Sequence, residues 1–525
     1  MREISIAEFF ERNRHLLGFD SRKKALYTTV KEILDNSLDA LEEHEMLGDI
    51  ILRIQKVDSY VYRVTGEDTG PGIPIKDVPY VFGRFLYGSK FHALKQTRGQ
   101  QGIGISAVVL YSQLTTGEPA TIISKTKRSD PYLFKVFIDV KRNAPIIVEK
   151  RKIQWHRDHG LRVTVTLDAQ WTEKVLEYVK YSSLVSPYAR VVLYTPDGNL
   201  HLFKRRSRKV PEKPKMIPIH PHGIELGIFL RMMREYKQGT VIDFLKKTFY
   251  GISDKIINHL LSQGISKEIL QSVPSSLRKE DAEKIWKVLQ KTKIRAISSR
   301  YLQKIDEKEI EKSLFEEFHP EVVYSTTRKP CSYRGIPFQV QVFVAYGGNI
   351  ERFTLIRIAN KIPLLYEQSS CAITKAVQSI NWKTYGIPAD DRGFPKAPML
   401  LLVTINSAWV PYTSESKMAV ASYPEILKEV ELGVREVARK LQRYIREKER
   451  KGQKWEKFLD FVRYGIEISR AFQELFGEDP SFEICKAISK KIFGDVLSDY
   501  DIELILKGKF EKIKKKILTQ GYGST

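Results

Sequence analysis

An acidic segment near the N-terminus carries side chains that could take part in chemistry. Glu32, Asn36 and Asp39 are spaced i, i+4, i+7 in a helical pattern, which places three side-chain oxygens on one helix face. There Glu32 could deprotonate an attacking water, and Asn36 could offer its oxygen to Mg²⁺, which needs few protein ligands when phosphates supply the rest. A solvated helix face with ordinary polar residues is the alternative, and it is favoured while this segment is considered alone.

The segment from Glu67 to Pro74 follows a predicted strand and contains Gly70 and Gly72. Glycines let a backbone approach a flat ligand more closely than any Cβ allows. Asp68 is an acceptor-only carboxylate, which can accept a hydrogen bond from the exocyclic amine of adenine, whereas guanine has a carbonyl there. The alternative is a Pro-Gly surface turn, which is favoured for this segment in isolation.

A third segment is a glycine-rich loop that runs directly into an apolar helix, where free backbone N–H groups can bind phosphate. It lacks the G-K-[ST] ending of a P-loop and the preceding strand of a dinucleotide fold, so both of those interpretations are disfavoured. The basic connection from Phe82 to Thr97 could close over a nucleotide as a lid. The candidate ligands are Ser89 and Lys90 in that connection, followed by Arg98, Gly99, Gln100, Gln101, Gly102, Ile103, Gly104 and Ile105.

A lysine far along the chain is a further candidate. Lys417 lies in the segment from Thr413 to Met418, between a predicted strand and a long predicted helix, on a loop that could reach the first domain. An exposed loop lysine is the alternative, and it is the ordinary expectation for such a residue.

Four parts of the chain must position these residues. Residues 1–215 mix helical and strand patterns and predict an α+β domain, which ends in a basic linker containing prolines. Residues 216–305 predict a small helical module. Residues 306–454 predict a second α+β domain that ends in a long helix after Pro424, and residues 455–525 predict short helices.

The second α+β domain has a strand pattern that predicts its topology. Residues 337–346 alternate apolar and polar side chains, residues 347–349 (Gly-Gly-Asn) predict a hairpin turn, and residues 350–358 are the predicted partner strand. A helical stretch over residues 370–380 then precedes the apolar run 399–405. The order strand, helix, strand predicts a right-handed crossover.

Composition narrows the classes of function. Lys and Arg number 87 against 63 Asp and Glu, a formal charge of +24 that attracts polyanions, with nucleic acid the first candidate and an anionic membrane the second. The three cysteines are far apart and form no CxxC pair, which fits a reducing cytoplasm and disfavours zinc. A charged N-terminus and the lack of a stretch of ~20 apolar residues predict a cytoplasmic protein without a membrane segment.

The three motifs, in this order and tens of residues apart, resemble the N-box and two glycine boxes of the GHKL ATPases, which include gyrase-type topoisomerases, mismatch-repair MutL proteins, clamp-type chaperones and sensor histidine kinases. Residues 86–91 (LYGSKF) and 99–107 (GQQGIGISA) are most similar to the B subunits of archaeal type IIB DNA topoisomerases (topoisomerase VI). This resemblance implies a multidomain α+β protein. Its parts would be a Bergerat-type ATPase sandwich, a helix-two-turn-helix module, a β-α-β transducer with a long helix and a small C-terminal region.

The resemblance also implies cofactors and roles. ATP and Mg²⁺ would be bound, with Glu32 as the general base, Asn36 as the Mg²⁺ ligand and Asp68 as the reader of adenine. Residues 98–105 would cradle the phosphates, and Lys417 would touch the terminal phosphate from the transducer.

Three positions depart from the family pattern. Thr69 stands where an Asn is frequent, Leu161 where a threonine on the adenine side is common, and Glu415 where Gln is frequent. Thr164 or Thr166 could replace the missing threonine, but neither is counted among the predicted site residues.

These features lead to one main hypothesis and two alternatives. In the main one the chain is the ATP-binding and hydrolysing subunit of a type IIB topoisomerase, which self-dimerises on ATP binding and closes a gate around double-stranded DNA. A separate A subunit would cleave DNA within an A2B2 heterotetramer, since none of the 25 tyrosines has the context of a nucleophile. The alternatives are a chaperone-type or mismatch-repair-type ATP-operated clamp, and a basic nucleic-acid scaffold that does not hydrolyse ATP.

Overall fold

The computed structural model describes residues 6–87, 95–99, 102–303, 305–414, 416–494 and 497–519. The chain forms two compact units, residues 1–437 and residues 438–525. Within the first unit we distinguish a first module (residues 6–203), a helical module (residues 221–291) and a second module (residues 307–437). The predicted division into four domains stays a prediction.

The first module is an eight-stranded sheet with a layer of helices. Its elements are α1 (Ile6–Arg12), α2 (Arg14–Leu17), α3 (Arg22–Glu43), β1 (Gly48–Lys56), β2 (Val61–Asp68), α4 (Val78–Gly83), α5 (Gly104–Thr116), β3 (Ala120–Lys125), β4 (Tyr132–Asp139), β5 (Ala144–Lys152), β6 (Gly160–Asp168), α6 (Lys174–Val185), β7 (Ala189–Tyr194) and β8 (Leu200–Phe203). The strand order is β5-β4-β3-β6-β2-β1-β7-β8, and only β1 and β7 pair in parallel. Helix α3 packs against the sheet and against both α5 and α6.

Helix α3 carries the predicted acidic face. The Ser21 side chain caps its start by accepting a hydrogen bond from the Lys24 N–H at 3.3 Å, and such caps stabilise helices. Its apolar side chains recur every three or four residues and are buried in the layer between sheet and helices, namely Leu26, Val30, Ile33, Leu34, Leu38 and Leu41. The helix predicted over the acidic segment is therefore confirmed.

The helical module has its own apolar core. It contains 3₁₀ turns at 221–223 and 274–276 and the helices α7 (Leu226–Glu235), α8 (Val241–Thr248), α9 (Asp254–Ser262), α10 (Lys267–Gln271) and α11 (Lys279–Lys291). The buried side chains of this core include Phe229, Phe244, Phe249, Leu260 and Ile285. The helical pattern predicted for this part of the chain is confirmed.

The second module is a six-stranded sheet with flanking helices. After a 3₁₀ turn at 299–301, its elements are α12 (Glu307–Phe318), β9 (Val322–Thr327), β10 (Cys331–Tyr333), β11 (Ile336–Tyr346), β12 (Thr354–Ala359), β13 (Ile362–Pro363), α13 (Ala372–Gln378), a 3₁₀ turn at 382–385, β14 (Met399–Ser407) and the start of α14 (Pro424–Phe476). Strands β12 and β14 are parallel neighbours joined through α13, so the predicted strand-helix-strand unit is confirmed.

The predicted hairpin of this module is wrong. The Gly-Gly-Asn turn follows β11, but β14 lies between β11 and β12, and β11 pairs with β9, β10 and β14. A turn sequence reports only the local change of direction, whereas the crossover inserts β14 into the sheet. Two polar residues of β11, Gln339 and Gln341, are buried as well. Their side-chain amides donate hydrogen bonds to the carbonyls of Arg328 and Ile305, respectively.

The basic linker of residues 204–215 has no helix or strand and is held by ion pairs. Arg205 lies 2.8 Å from the Asp49 carboxylate, Arg206 lies 2.8 Å from Glu317, and Lys209 lies 2.8 Å from Asp306. Part of the positive charge of the chain is therefore paired with carboxylates within the first unit.

The second unit is helical. It contains the remainder of α14 together with α15 (Ser481–Phe493), α16 (Asp499–Leu506) and α17 (Phe510–Thr519), packed around Trp455, Phe458, Ile505, Ile513 and Ile517. Among the described residues of the chain, no helix has an apolar stretch long enough to cross a bilayer.

Candidate functional site

A cavity of about 740 Å³ lies in the first unit. Its walls come from α3, α4, the loop after β2, the start of α5 and strand β6, and the loop before α14 reaches it from the second module. The predicted site residues that line it are Glu32, Asn36, Asp68, Gly72, Gly99, Gly102, Ile103, Gly104, Ile105 and Lys417. Ser89, Lys90, Gln100, Gln101 and Glu415 lie outside the described residues.

Glu32 lies on the cavity wall and is held by lysines. The Lys31 Nζ is 2.7 Å from Glu32 Oε1 and 3.3 Å from Asp35 Oδ2. Burial alone would raise the pKa of Glu32, but the charges of Lys31 and then Lys417 outweigh it, and the net shift is downward. Glu32 is therefore a carboxylate at neutral pH, which is the form that can accept a proton.

Asn36 also lies on the acidic face and is open to the cavity. It is exposed, while its neighbours Asp35 and Ser37 are buried, so its amide is accessible to a ligand. Among the described residues, no group of three or more His, Cys, Asp or Glu side chains could hold a metal ion. One amide oxygen beside an open cavity suits Mg²⁺ only when a bound phosphate supplies further ligands.

Two residues of the predicted motifs, Asp39 and Arg98, form hydrogen bonds within the protein and do not line the cavity. Asp39 accepts hydrogen bonds from the backbone N–H groups of Arg98, at 3.1 Å, and Gly99, at 2.9 Å, and does not line the cavity. The Arg98 guanidinium is 2% exposed and donates to Asp39 and Glu42. Asp39 is thus not the third ligand that the spacing suggested, and the Arg98 side chain is not brought to the cavity.

Asp68 is buried at the end of β2 and faces an apolar part of the cavity. Its carboxylate accepts hydrogen bonds from the Ser37 hydroxyl at 2.9 Å and the Gly70 N–H at 2.8 Å. Burial raises the pKa of Asp68 to about 6, although these bonds and one from the Leu161 backbone act in the opposite direction. The apolar side chains around it are Ile33, Ile73, Val81, Phe82, Leu161 and Val163. A flat aromatic ligand with one donor group would fit this part.

Gly72 is required by the close approach of neighbouring strands. Its φ is +70°, and a Cβ there would lie 2.2 Å from the Lys125 carbonyl oxygen. Gly70 does not line the cavity and acts through its hydrogen bond to Asp68.

Two of the three departures from the family pattern, Thr69 and Leu161, have local explanations. Thr69 Oγ1 accepts a hydrogen bond from the Asp49 N–H at 2.9 Å, so this side chain joins β2 to β1. Leu161 contributes its backbone to Asp68 and its side chain to the cavity wall. Thr164 pairs with Thr65 at 3.1 Å, and neither Thr164 nor Thr166 lines the cavity.

The glycine-rich segment ends at the start of α5, against Glu32. A Cβ on Gly104 would lie 1.9 Å from Glu32 Oε2, so any larger residue would displace the carboxylate from its present position. No side chain caps α5 at Ile103. The N-terminus of this helix, with its uncapped N–H groups and positive dipole end, faces the cavity and suits a phosphate.

Lys417 reaches the cavity from the second module. Its backbone has a φ of +54°, which turns the loop, and its Nζ donates to the carbonyl oxygen of Arg98. Burial and the nearby Lys31 lower its pKa, while Glu32 and Asp35 oppose that shift. The structure therefore places Lys417 beside both Glu32 and the glycine-rich segment.

Sequence reasoning missed Lys31 and Ser37. Residues i and i+1 of a helix do not usually face each other, so the neighbouring Lys31 and Glu32 gave no signal of a pair. The i, i+4 spacing of Lys31 and Asp35 is the signal that could have revealed the lysine. Nothing in the sequence connects Ser37 to Asp68, because that contact joins a helix to a strand.

Comparison with known proteins agrees with this geometry. Residues 21–170 match the family described as histidine kinase-, DNA gyrase B- and HSP90-like ATPase, and residues 298–457 match the family described as topoisomerase VI B subunit, transducer. The chain therefore contains an ATPase-type nucleotide-binding domain and a transducer domain.

Relatives of known name cover most of the chain. The B subunit of type 2 DNA topoisomerase 6 from Archaeoglobus fulgidus is 45% identical over 457 residues, which are 86% of this chain and 75% of that protein. The protein of the same name from Sulfurisphaera tokodaii is 37% identical over 530 residues, 98% of this chain and 96% of that one. The gyrase B subunit from Myxococcus xanthus, a solved structure, aligns at 11% identity with a TM-score of 0.40, over 83% of this chain and 95% of that one. On the strength of the two curated relatives, the chain belongs to the family of type 2 DNA topoisomerase 6 B subunits.

Proposed function

We propose that the chain binds and hydrolyses ATP with Mg²⁺ and thereby operates a DNA gate in a type IIB topoisomerase. The observation that carries the proposal is the common cavity of Glu32, Asp68, the α5 N-terminus and Lys417. It offers a proton acceptor, an adenine-sized apolar part with one carboxylate, a phosphate site and a cation from a second module.

Asp68 and the apolar wall select the base. The ionised carboxylate accepts a hydrogen bond from the exocyclic amine of adenine, and it would face a carbonyl in guanine. Burial strengthens this contact, because a hydrogen bond to a charged group gains when water is excluded.

The α5 N-terminus and residues 102–105 bind the phosphates through backbone N–H groups. Asn36 would hold Mg²⁺ through its side-chain oxygen, and the bound ion would neutralise phosphate charge. Glu32 accepts the proton of the attacking water, and Lys31 keeps Glu32 ionised and oriented.

Lys417 connects the nucleotide to the second module. With its Nζ on the Arg98 carbonyl, it already lies half-buried beside the phosphate site, so a terminal phosphate attracts it over a short distance. Hydrolysis removes that contact, and the second module then responds to the state of the nucleotide.

The DNA-directed part of the proposal rests on family membership and on charge. A formal charge of +24 favours a polyanionic substrate. We propose that ATP binding makes two copies of the chain dimerise, that a cleavage subunit completes an A2B2 assembly, and that double-stranded DNA passes through it.

The test measures ATP turnover by the full chain, with and without duplex DNA and the cleavage subunit. Turnover should require Mg²⁺, prefer ATP over GTP and rise with duplex DNA, and relaxation of supercoiled DNA should require both subunits. In Asp68→Asn the preference for ATP over GTP should become smaller, because the amide can also donate a hydrogen bond. The proposal would be contradicted if duplex DNA did not change ATP turnover and the chain did not support relaxation of supercoiled DNA.

A further inference from the structure

We propose that Lys361 of the second module is a positioning residue for hydrolysis, which acts through Glu42 and Arg98 on the start of the glycine-rich segment. This inference rests on the proposed ATP hydrolysis and concerns a residue outside the cavity. The ion pair of Lys361 with Glu42 is a second lysine contact between the two modules, in addition to that of Lys417.

Arg98 is the centre of the arrangement. Its guanidinium donates to Asp39 at 3.2 Å, to Glu42 at 2.9 Å and to the Ser186 hydroxyl at 2.8 Å. Its backbone N–H donates to Asp39, and its carbonyl accepts from Lys417. A residue held at its side chain, its N–H and its carbonyl has little freedom to move, so it determines where the following glycines begin.

Glu42 links Arg98 to the second module. Besides the Arg98 guanidinium, the Glu42 carboxylate accepts a hydrogen bond from the Tyr188 hydroxyl and pairs with the Lys361 ammonium at 3.0 Å. It is only 2% exposed, so water does not weaken these contacts. Burial alone would raise the pKa of Glu42, but Arg98 and Lys361 outweigh it, and Glu42 stays ionised.

Lys361 is held in a rigid turn. Asn360 and Lys361 join β12 to β13 with φ values of +48° and +65°. The Asn360 amide makes two hydrogen bonds to the backbone of Ser407, at 2.6 and 2.9 Å, which fasten the turn to β14. The ammonium therefore projects from the sheet of the second module and is not carried by a flexible loop.

A pair of glutamines strengthens the same junction. The Gln303 N–H donates to the Gln96 side-chain oxygen at 2.8 Å, and the Gln96 amide donates to the Gln303 carbonyl at 3.3 Å. Gln303 Oε1 also accepts from Lys361 at 3.4 Å. Residues 96–99 are thus fixed to α3 on one side and to the edge of the second module on the other.

The two lysines have different consequences. Lys417 lines the cavity and can exchange the Arg98 carbonyl for a phosphate, whereas Lys361 does not line it and has no phosphate to reach. When Lys417 changes partner, the Lys361–Glu42 contact remains, and it keeps residues 98–99, where the glycine-rich segment begins, in place beside α3. Loss of this contact should slow the chemical step without removing any group that touches ATP.

The experiment compares three variants of the full chain: Lys361→Met, Glu42→Gln and the double variant. Asp39, Glu42, Arg98 and Lys361 carry two negative and two positive charges. Each single variant leaves this set unbalanced, whereas the double variant removes one charge of each sign. Stability should therefore fall in the single variants and recover substantially in the double variant.

Turnover should behave differently from stability. We expect kcat for ATP to fall about tenfold or more in Lys361→Met and to stay low in the double variant, with little change in KM or ADP affinity. Lys174→Met is the matched control, since Lys174 also crosses between modules, to the Leu365 carbonyl at 3.3 Å, but does not contact residues 96–99. Its kcat should equal that of the wild type.

Recovery of wild-type kcat in the double variant would overturn the inference, since charge balance alone would then explain Lys361. Wild-type kcat in Lys361→Met, or an equal loss in Lys174→Met, would overturn it too. A wild-type chain that does not hydrolyse ATP would instead refute the proposed function, so the two failures are distinguishable.

Discussion

Two glutamates of helix α3, Glu32 and Glu42, use the same chemistry for different purposes. Glu32 pairs with Lys31 near the middle of the helix, and Glu42 pairs with Lys361 near its end. Both carboxylates are held ionised against burial by neighbouring cations. Glu32 lines the cavity with a side chain that is 21% exposed, whereas the Glu42 side chain is 2% exposed and surrounded by protein groups.

In the proposed function, access to the cavity rather than charge pairing separates the reactive carboxylate, Glu32, from the structural one, Glu42. A lysine beside Glu32 keeps a proton acceptor ionised at a place that water and nucleotide can enter. The same pairing at Glu42 joins two modules, because no ligand can compete for the carboxylate. Substitutions of Glu32 and of Glu42 should therefore change different properties of the protein.

The largest effect is expected from Glu42→Gln. The amide cannot balance Arg98 and Lys361, and breaking a buried ion pair costs about 3–5 kcal/mol of folding free energy. Denaturant unfolding of the full chain measures this loss. Glu32→Gln is the comparison variant and should cost clearly less, because Lys31 keeps Asp35 as a partner. Equal losses of unfolding free energy in Glu42→Gln and Glu32→Gln would contradict the proposed difference between the two glutamates.

Glu32→Ala should lower ATP turnover by about 10² or more, the usual scale for the loss of a general base. ADP affinity should be retained, since Asp68 and the α5 N-terminus are unchanged. Steady-state kinetics and calorimetric titration measure the two quantities. Glu118→Ala, at an exposed glutamate after α5, is the matched control and should behave like the wild type. Undiminished turnover would remove Glu32 from the mechanism.

Lys417→Ala tests the cation that moves between partners. The substitution would remove the proposed charge-assisted contact to the terminal phosphate, worth roughly 1.5–3 kcal/mol, and would leave the contacts of the first module in place. Turnover and relaxation of supercoiled DNA should fall together, while ADP affinity should hardly change. If turnover and relaxation stay normal, Lys417 is an ordinary half-buried lysine without a role as a sensor.

The smallest effect concerns pH. Because burial raises the pKa of Asp68 to about 6, the carboxylate that is proposed to accept a hydrogen bond from adenine becomes protonated as the pH falls through that value. ATP affinity should therefore be constant near pH 8 and decline progressively below pH 6. Titrations with ATP between pH 5 and pH 8 measure this dependence. The asparagine of Asp68→Asn does not ionise in this range, so the part of the pH dependence that is due to Asp68 should be absent in the variant. A wild-type profile identical to that of the variant would contradict the assignment.

The extent of successful prediction differs between local and long-range features. The helix over Glu32 and Asn36, the glycine-rich segment before α5 and the loop of Lys417 were predictable because each depends on a short pattern. The pairing of β11 with β14 was not predictable, since a turn sequence cannot show which strand is inserted beside it. Likewise Asp39 shared the spacing of Glu32 and Asn36, but the backbone of residues 98–99 occupies its carboxylate.

The sequence by itself determined which residues could do chemistry and in what order they occur, because helical spacing, glycine content and charge are properties of neighbouring residues. Tertiary structure alone decided which of them share a cavity and which become buried partners. Arg98 and Lys417 show this, since a side chain predicted to bind phosphate is enclosed by Asp39 and Glu42, and a loop lysine from a distant part of the chain lies at the cavity instead. Burial is a collective result of packing many segments together, so no single segment of the sequence encodes it.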